Sequence, residues 1–192
     1  MPDEISHILW TYLLLLHPRI RGIRDMQGWR GRAATYFFAI LPDLWNLGMI
    51  LGLVWIMQSN NLPLVMGPAA MQYPQVREAF SGTFRNIYYV FHSYVTYAIL
   101  VGISYIILRR IYWPLAVGML LHITIDIPTH KDYTALEPFY PLSTLRINGL
   151  VHWGSWEFYI TELVLVIAYT IWLYRTKRQA SSRARESGRA AV

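Results

Sequence analysis

The sequence predicts an all-α integral membrane bundle of four or five transmembrane helices, and three observations predict it. Of its 192 residues, 55% are apolar and only 15% are charged, where soluble domains carry roughly a quarter. The 8 Trp and 14 Tyr suit the aromatic belts at membrane interfaces. The 17 Lys and Arg are grouped at the ends of apolar runs, as topology signals are. The length fits one membrane-embedded helical domain, 1–174, followed by a basic tail, 175–192. The absence of cysteine excludes a disulfide scaffold, a zinc ribbon and a thiol nucleophile.

Four long apolar segments carry the bundle. The first runs from Ala33 to Met57 with one charge, Asp43. The second, Asn86 to Leu108, contains no ionisable acid or base except His92. The third, Ile111 to Ile127, closes at Asp126 and Pro128. The fourth, Phe158 to Tyr174, holds only Glu162. Each approaches the ~20 residues that cross ~30 Å of hydrocarbon. Residues 5–16 form a shorter apolar stretch, which either makes a fifth span or lies tilted at the interface. Asp3 and Glu4 stand where a signal peptide would have bases.

With Arg19, Arg21, Arg24, Arg30 and Arg32 in the cytoplasm, Arg109, Arg110 and the tail fall on the same side. Thirteen bases then lie inside and four outside, which supports that orientation and a cytoplasmic C-terminus. The net charge of +6 therefore reads as membrane topology, and no nucleic-acid partner is expected. The tail is expected to be disordered and to lie on anionic membrane lipid.

Ionisable groups inside apolar segments cost ~2.5–3.5 kcal/mol at a helix centre and mark candidate sites. The strongest pattern is His122-Ile-Thr-Ile-Asp126. Residues four apart share one helix face, so an imidazole and a carboxylate offer two ligands to one divalent ion. The alternative is a hydrogen-bonded pair that plugs the bundle. Pro128 is expected to end the helix near Ile127 and turn His130 back towards the pair.

In Leu41-Pro42-Asp43 the proline kinks the helix, and the acid after it either builds a site or caps the next helix. His92 is a ligand or a satisfied core residue, with Ser93 or Thr96 as a supporting hydrogen-bond partner. His152-Trp-Gly-Ser-Trp-Glu157 reads first as an interface belt. Glu157 and Glu162 are candidate general bases. Depth sets a test. In a straight helix Asp43 lies ~21 Å below Met57, too deep to join residues near the outer side. Either Pro42 marks a helix end or Asp43 is not a ligand.

The order of elements resembles a known family. Ser6-His7, Leu41-Pro42-Asp43, His92-Ser93, Leu121-His122-Ile-Thr-Ile-Asp126-Ile-Pro-Thr-His130 and Pro138-Phe-Tyr-Pro-Leu-Ser143 are similar to the motifs of bacterial and archaeal membrane-bound metal-dependent hydrolases. Those are thought to be distant relatives of zinc-dependent phospholipase C and single-strand nucleases. The resemblance covers roughly residues 5–145. It implies a prokaryotic plasma membrane location and metal-ligand roles for His7, Asp43, His92, His122 and Asp126. It also implies that His130 is a further ligand or a phosphate contact. Trp45 and Asn46 follow Asp43 where the family commonly has another acid, and Tyr88 to Phe91 lack the family's basic residue and second histidine.

The expected activity is hydrolysis of a phosphoester, as a small molecule or linked to lipid, with zinc or manganese as cofactor. Two rival expectations remain. In a proton- or ion-coupled transporter, His92, His122, Asp126 and Glu162 would form a relay. In a non-enzymatic scaffold, the basic tail would recruit a partner.

Overall fold

A computed structural model describes residues 2–65 and 67–190. Nine α-helices carry the described residues, in the order α1 (Pro2–Leu15), α2 (Pro18–Arg21), α3 (Gly28–Ile40), α4 (Leu44–Ser59), α5 (Pro74–Ser81), α6 (Thr83–Phe91), α7 (Tyr94–Leu108), α8 (Trp113–Thr129) and α9 (Trp156–Ala190). Among these residues no strand forms, and one isolated antiparallel bridge joins Leu136 to Ile147.

The tightest helix pair is α3 against α8, with α1 packed on both. Small residues permit it. Gly31, Thr35 and Ala39, four apart, are the buried residues of α3 and form one face. Gly118 of α8 meets that face. A Cβ there would come within 2.7 Å of the Thr35 carbonyl oxygen and 2.9 Å of the Ala39 nitrogen. Close approach of backbones over small residues is how helices pack when apolar surroundings supply no driving force. A separate apolar cluster lies away from this pair, where Leu53, Ile56 and Met57 of α4 bury against Ala70 and Val76.

The described residues are all-helical, as expected, and their apolar segments are more broken than straight spans. Among the described residues one helical stretch, Trp156–Ala180 within α9, is long and apolar enough to cross a membrane, or up to three spans exist if bent helix pairs count as one each. The segment 33–57 is two helices, α3 and α4, bent by 45° at Leu41-Pro42-Asp43. The segment 86–108 is divided at His92-Ser93, where the two halves bend by 49°. α8 has 17 residues, about 26 Å at the helical rise, short of the ~30 Å hydrocarbon core. Hydropathy counts apolar residues along the chain and is blind to a break in the helix, so it does not report these bends.

Pro128 does not end α8 near Ile127, as the sequence suggested. The helix runs through it to Thr129, and His130 is the C-cap. The exposed carbonyls of a helix end need donors, and residues 149–153 supply them. The Pro128 oxygen accepts from the amides of Leu150 (2.8 Å) and Val151 (3.1 Å), the Thr129 oxygen from Trp153 (2.9 Å) and the His130 oxygen from Gly149 (2.8 Å). Only glycine fits at 149, because a Cβ would lie 2.6 Å from the His130 oxygen.

α9 continues as helix from its apolar stretch into the basic segment 175–190. Ala, Arg, Lys and Gln are good helix formers, and they extend a helix already nucleated. Arg110 forms an ion pair with Asp25 that ties the α7–α8 loop to the turn before α3. The Asp25 carboxylate raises the pKa of this guanidinium further above its ordinary value.

Candidate metal centre

His122 and Asp126 lie one turn apart on the buried face of α8, and neither is exposed to solvent. The His122 Nε2 lies 3.0 Å from Asp126 Oδ2. Three other segments bring groups to the same point. From α1, the His7 Nε2 lies 3.1 Å from Asp126 Oδ1, with its ring stacked on that of His122 at 4.0 Å between centroids. From the α3–α4 break, Asp43 places Oδ1 3.4 Å from His92 Nε2 and 3.8 Å from His122 Nε2. From the α6–α7 break, His92 also reaches within 3.4 Å of Asp126 Oδ2. His7 closes the set at 3.6 Å from Asp43 Oδ2. Two overlapping triads result, His7–His122–Asp126 and Asp43–His92–His122, each with its ligand atoms within 4.8 Å of one another.

The local structure explains each placement. Pro42 has no amide hydrogen, and the chain around it closes into tight i→i−3 bonds, Asp43 N to Ile40 O (3.0 Å) and Leu44 N to Leu41 O (3.2 Å). Asp43 then occupies the N-cap position of α4 without making a side-chain cap. Its carboxylate points to the histidines instead, steadied by the Asn46 amide, which donates to Oδ1 at 3.2 Å. The 21 Å objection thus dissolves, because Pro42 is a helix end. Ser93 caps α7 by accepting from the Val95 amide at 3.0 Å. Its hydroxyl donates to the Tyr140 carbonyl at 2.6 Å and also lies 3.3 Å from that of Pro138. Ser93 therefore anchors the Pro138–Tyr140 loop to the break and does not support His92 directly, as the sequence suggested. The support comes from the Tyr88 carbonyl, 2.9 Å from His92 Nδ1.

These backbone contacts set the tautomers. A carbonyl only accepts, so His92 Nδ1 donates to Tyr88 and His122 Nδ1 donates to the Ala39 carbonyl at 2.7 Å. In neutral imidazoles the Nε2 atoms then carry lone pairs, and both face carboxylate oxygens. Among the described residues, His92 Nε2, His122 Nε2, Asp43 Oδ2 and both Asp126 oxygens are buried with no hydrogen-bond partner. Acceptors gathered on acceptors repel unless a positive charge stands between them. Ligand–ligand separations of 3.0–3.8 Å match the edge of a coordination tetrahedron, roughly 3.4 Å for bonds of ~2.1 Å. Three imidazoles and two carboxylates suit a transition metal better than calcium, which takes oxygen alone. The residues fit a metal ion.

The remaining candidates separate. His130 sits at the edge of the cluster, with Nδ1 3.7 Å from Asp126 Oδ1 and 3.2 Å from the Asp126 carbonyl. It is outside both triads. Burial pushes its pKa below the ordinary value, against the pull of the Asp126 carboxylate. Glu162 lies beside α1, hydrogen-bonded by the Ser6 hydroxyl. Glu157 is exposed on the first turn of α9. His152 Nδ1 accepts from the Gly154 amide at 3.1 Å and shapes a turn.

Sequence reasoning missed three contributors: the Ala39 carbonyl, Asn46 and Tyr88. Tyr88 lies one turn before His92, so helical spacing could have found it; its ring stands 4.1 Å from that of His92. The Ala39 carbonyl carries no signal, because any residue supplies one. Comparison with family models, with curated proteins and with solved structures gives no match for this chain.

Proposed function

We propose that this protein is a membrane-embedded, divalent-metal-dependent hydrolase acting on a phosphoester, with zinc the first candidate ion and manganese the second. The observation that carries the proposal is the convergence of His7, Asp43, His92, His122 and Asp126, from four segments, on one buried centre, where His92 Nε2, His122 Nε2, Asp43 Oδ2 and both Asp126 oxygens are unsatisfied. The motif resemblance to membrane-bound metal-dependent hydrolases adds to it. A bound divalent ion would lower the pKa of a coordinated water and polarise the scissile group.

The chain's own residues do the rest. The Ala39 and Tyr88 carbonyls hold His122 and His92 in the tautomer that presents Nε2. Asn46 holds the Asp43 carboxylate. His130, at the rim beside Asp126, is the group placed to exchange a proton with substrate. A relay for protons or ions would string its groups across a bilayer, whereas these five meet at one point, which favours the hydrolase over the transporter.

The test is elemental mass spectrometry of the detergent-purified protein beside a His122→Ala/Asp126→Ala variant. Zinc or manganese bound by the wild type and lost in the variant, followed by metal-dependent cleavage of phosphoester substrates, is expected. Absence of metal from both after zinc and manganese are supplied would overturn the proposal.

A further inference from the structure

Beside the centre, a cleft of about 400 Å³ lies between α1, α8, α9 and residues 150–151, within the usual range of ligand sites, ~300–1,000 Å³. Three helix faces wall it. Phe158, Glu162 and Leu165 of α9 follow helical spacing, as do Leu121, Ile125 and Thr129 of α8, with Ser6 and Trp10 opposite on α1. No base lines it, and its single ionisable group, Glu162, is already engaged by Ser6. A phosphate or other anion has no partner there. An uncharged, apolar occupant does.

Two features choose that occupant. The outer wall is α9, whose Trp156–Ala180 stretch meets the length and apolarity for crossing a membrane and is 6% buried in its most apolar window. The gap behind such a helix is reached from the side, where acyl chains lie. The inner wall adjoins the centre. Thr129 lines the cleft, and its hydroxyl is 3.4 Å from His130 Nδ1. Ser6, on the opposite wall, directly precedes His7.

We infer that the cleft holds an acyl chain of a phospholipid, so that the substrate's tail lies between α8 and α9 and its phosphoester reaches the His/Asp centre. The second half rests on the hydrolase proposal; the first does not.

The experiment uses full-length protein in vesicles containing phosphatidylglycerol with a diazirine midway along one acyl chain. After photolysis, labelled peptides are mapped by mass spectrometry. Label on 121–129 and 158–165 is expected to exceed, several-fold, that on the exposed α7 residues Ile103, Ile106 and Ile107, which report ordinary surrounding lipid in the same sample. Leu121→Trp and Thr161→Trp each fill the cleft from opposite walls, and each is expected to bring its label down to the α7 level. Equal label on the cleft and α7 in the wild type, unchanged by both substitutions, would overturn the inference. Metal content is measured on the same samples. Cleft labelling without bound metal would sink the hydrolase proposal and keep the lipid site; bound metal with even labelling would do the reverse.

Discussion

α8 and the two helix breaks deliver ligands to the same centre by opposite means. His122 and Asp126 come from inside a regular helix, where the i,i+4 relation alone aligns them. Asp43 and His92 come from points where the helix stops, at Pro42 and at the Ser93 cap. The regular helix provides a pair with one fixed separation. The breaks provide single groups whose direction depends on the turn around them, and they let two more segments reach in from other angles. Together they supply four of the five donors, and His7, from inside α1, supplies the fifth.

That contrast can be broken most severely at the ligands themselves. Removing a supporting residue of a metal site costs ~10–100-fold in affinity, so removing a ligand should exceed that. His122→Ala from the helix and Asp43→Asn from the break are each expected to lose more than ~100-fold in zinc affinity, measured by competition with a chromophoric chelator. A large loss for His122→Ala with no loss for Asp43→Asn would show that the break contributes no ligand.

Pro42→Ala separates the turn from the ligand it carries. The substitution restores an amide hydrogen where the chain now closes into i→i−3 bonds, and it permits α3 to run on into α4. Asp43 would then leave its direction towards His92, while His122 and Asp126 keep theirs. The expected result is a ~10–100-fold loss of zinc affinity, the size of a supporting-residue effect. An unchanged affinity would mean that Pro42 does not aim Asp43.

What was legible in the sequence follows the same division. His122 and Asp126 stood out because a helix repeats, and a four-residue spacing predicts a shared face. Asp43 was ambiguous, since its depth was reckoned along a straight helix that the structure bends by 45°. His92 resembled a lone core histidine, because the groups that make it a ligand come from distant segments. Pro42 signalled a kink in the first apolar run, whereas nothing in the second marked the bend at His92-Ser93, because hydropathy sums survive a bend. The Ala39 carbonyl left no trace, because a backbone acceptor is independent of side-chain identity. Its position is set by how closely α3 approaches α8, and therefore by Gly118.

Gly118→Ala tests that approach with a smaller effect. The new methyl would meet the Thr35 oxygen at 2.7 Å, the Ala39 nitrogen at 2.9 Å and the Phe38 Cβ at 2.9 Å. Two of these are backbone and cannot rotate away, so the helices must part. Overpacking of this kind costs ~1–3 kcal/mol, and it draws the Ala39 carbonyl away from His122 Nδ1. Reduced thermal stability together with a fall in zinc affinity is expected. A stability loss with affinity intact would show that the carbonyl does not orient the ring.

The smallest effect is expected at α9, where Glu157 and Glu162 were equal candidates for a general base. They differ in what they touch. Glu162 is joined to Ser6, the residue before His7, so Glu162→Gln keeps the size but weakens a charge-assisted hydrogen bond into α1. Glu157 is exposed on the first turn, where a carboxylate adds only ~0.3–1 kcal/mol through the helix dipole. Glu157→Gln should therefore leave zinc affinity and turnover within about twofold, since exposed substitutions fall within ~0.5 kcal/mol. Glu162→Gln should lower turnover by more, through the position of α1 and its histidine. If Glu157→Gln proved the more damaging, α9 would have to bring its first turn towards the centre during the reaction.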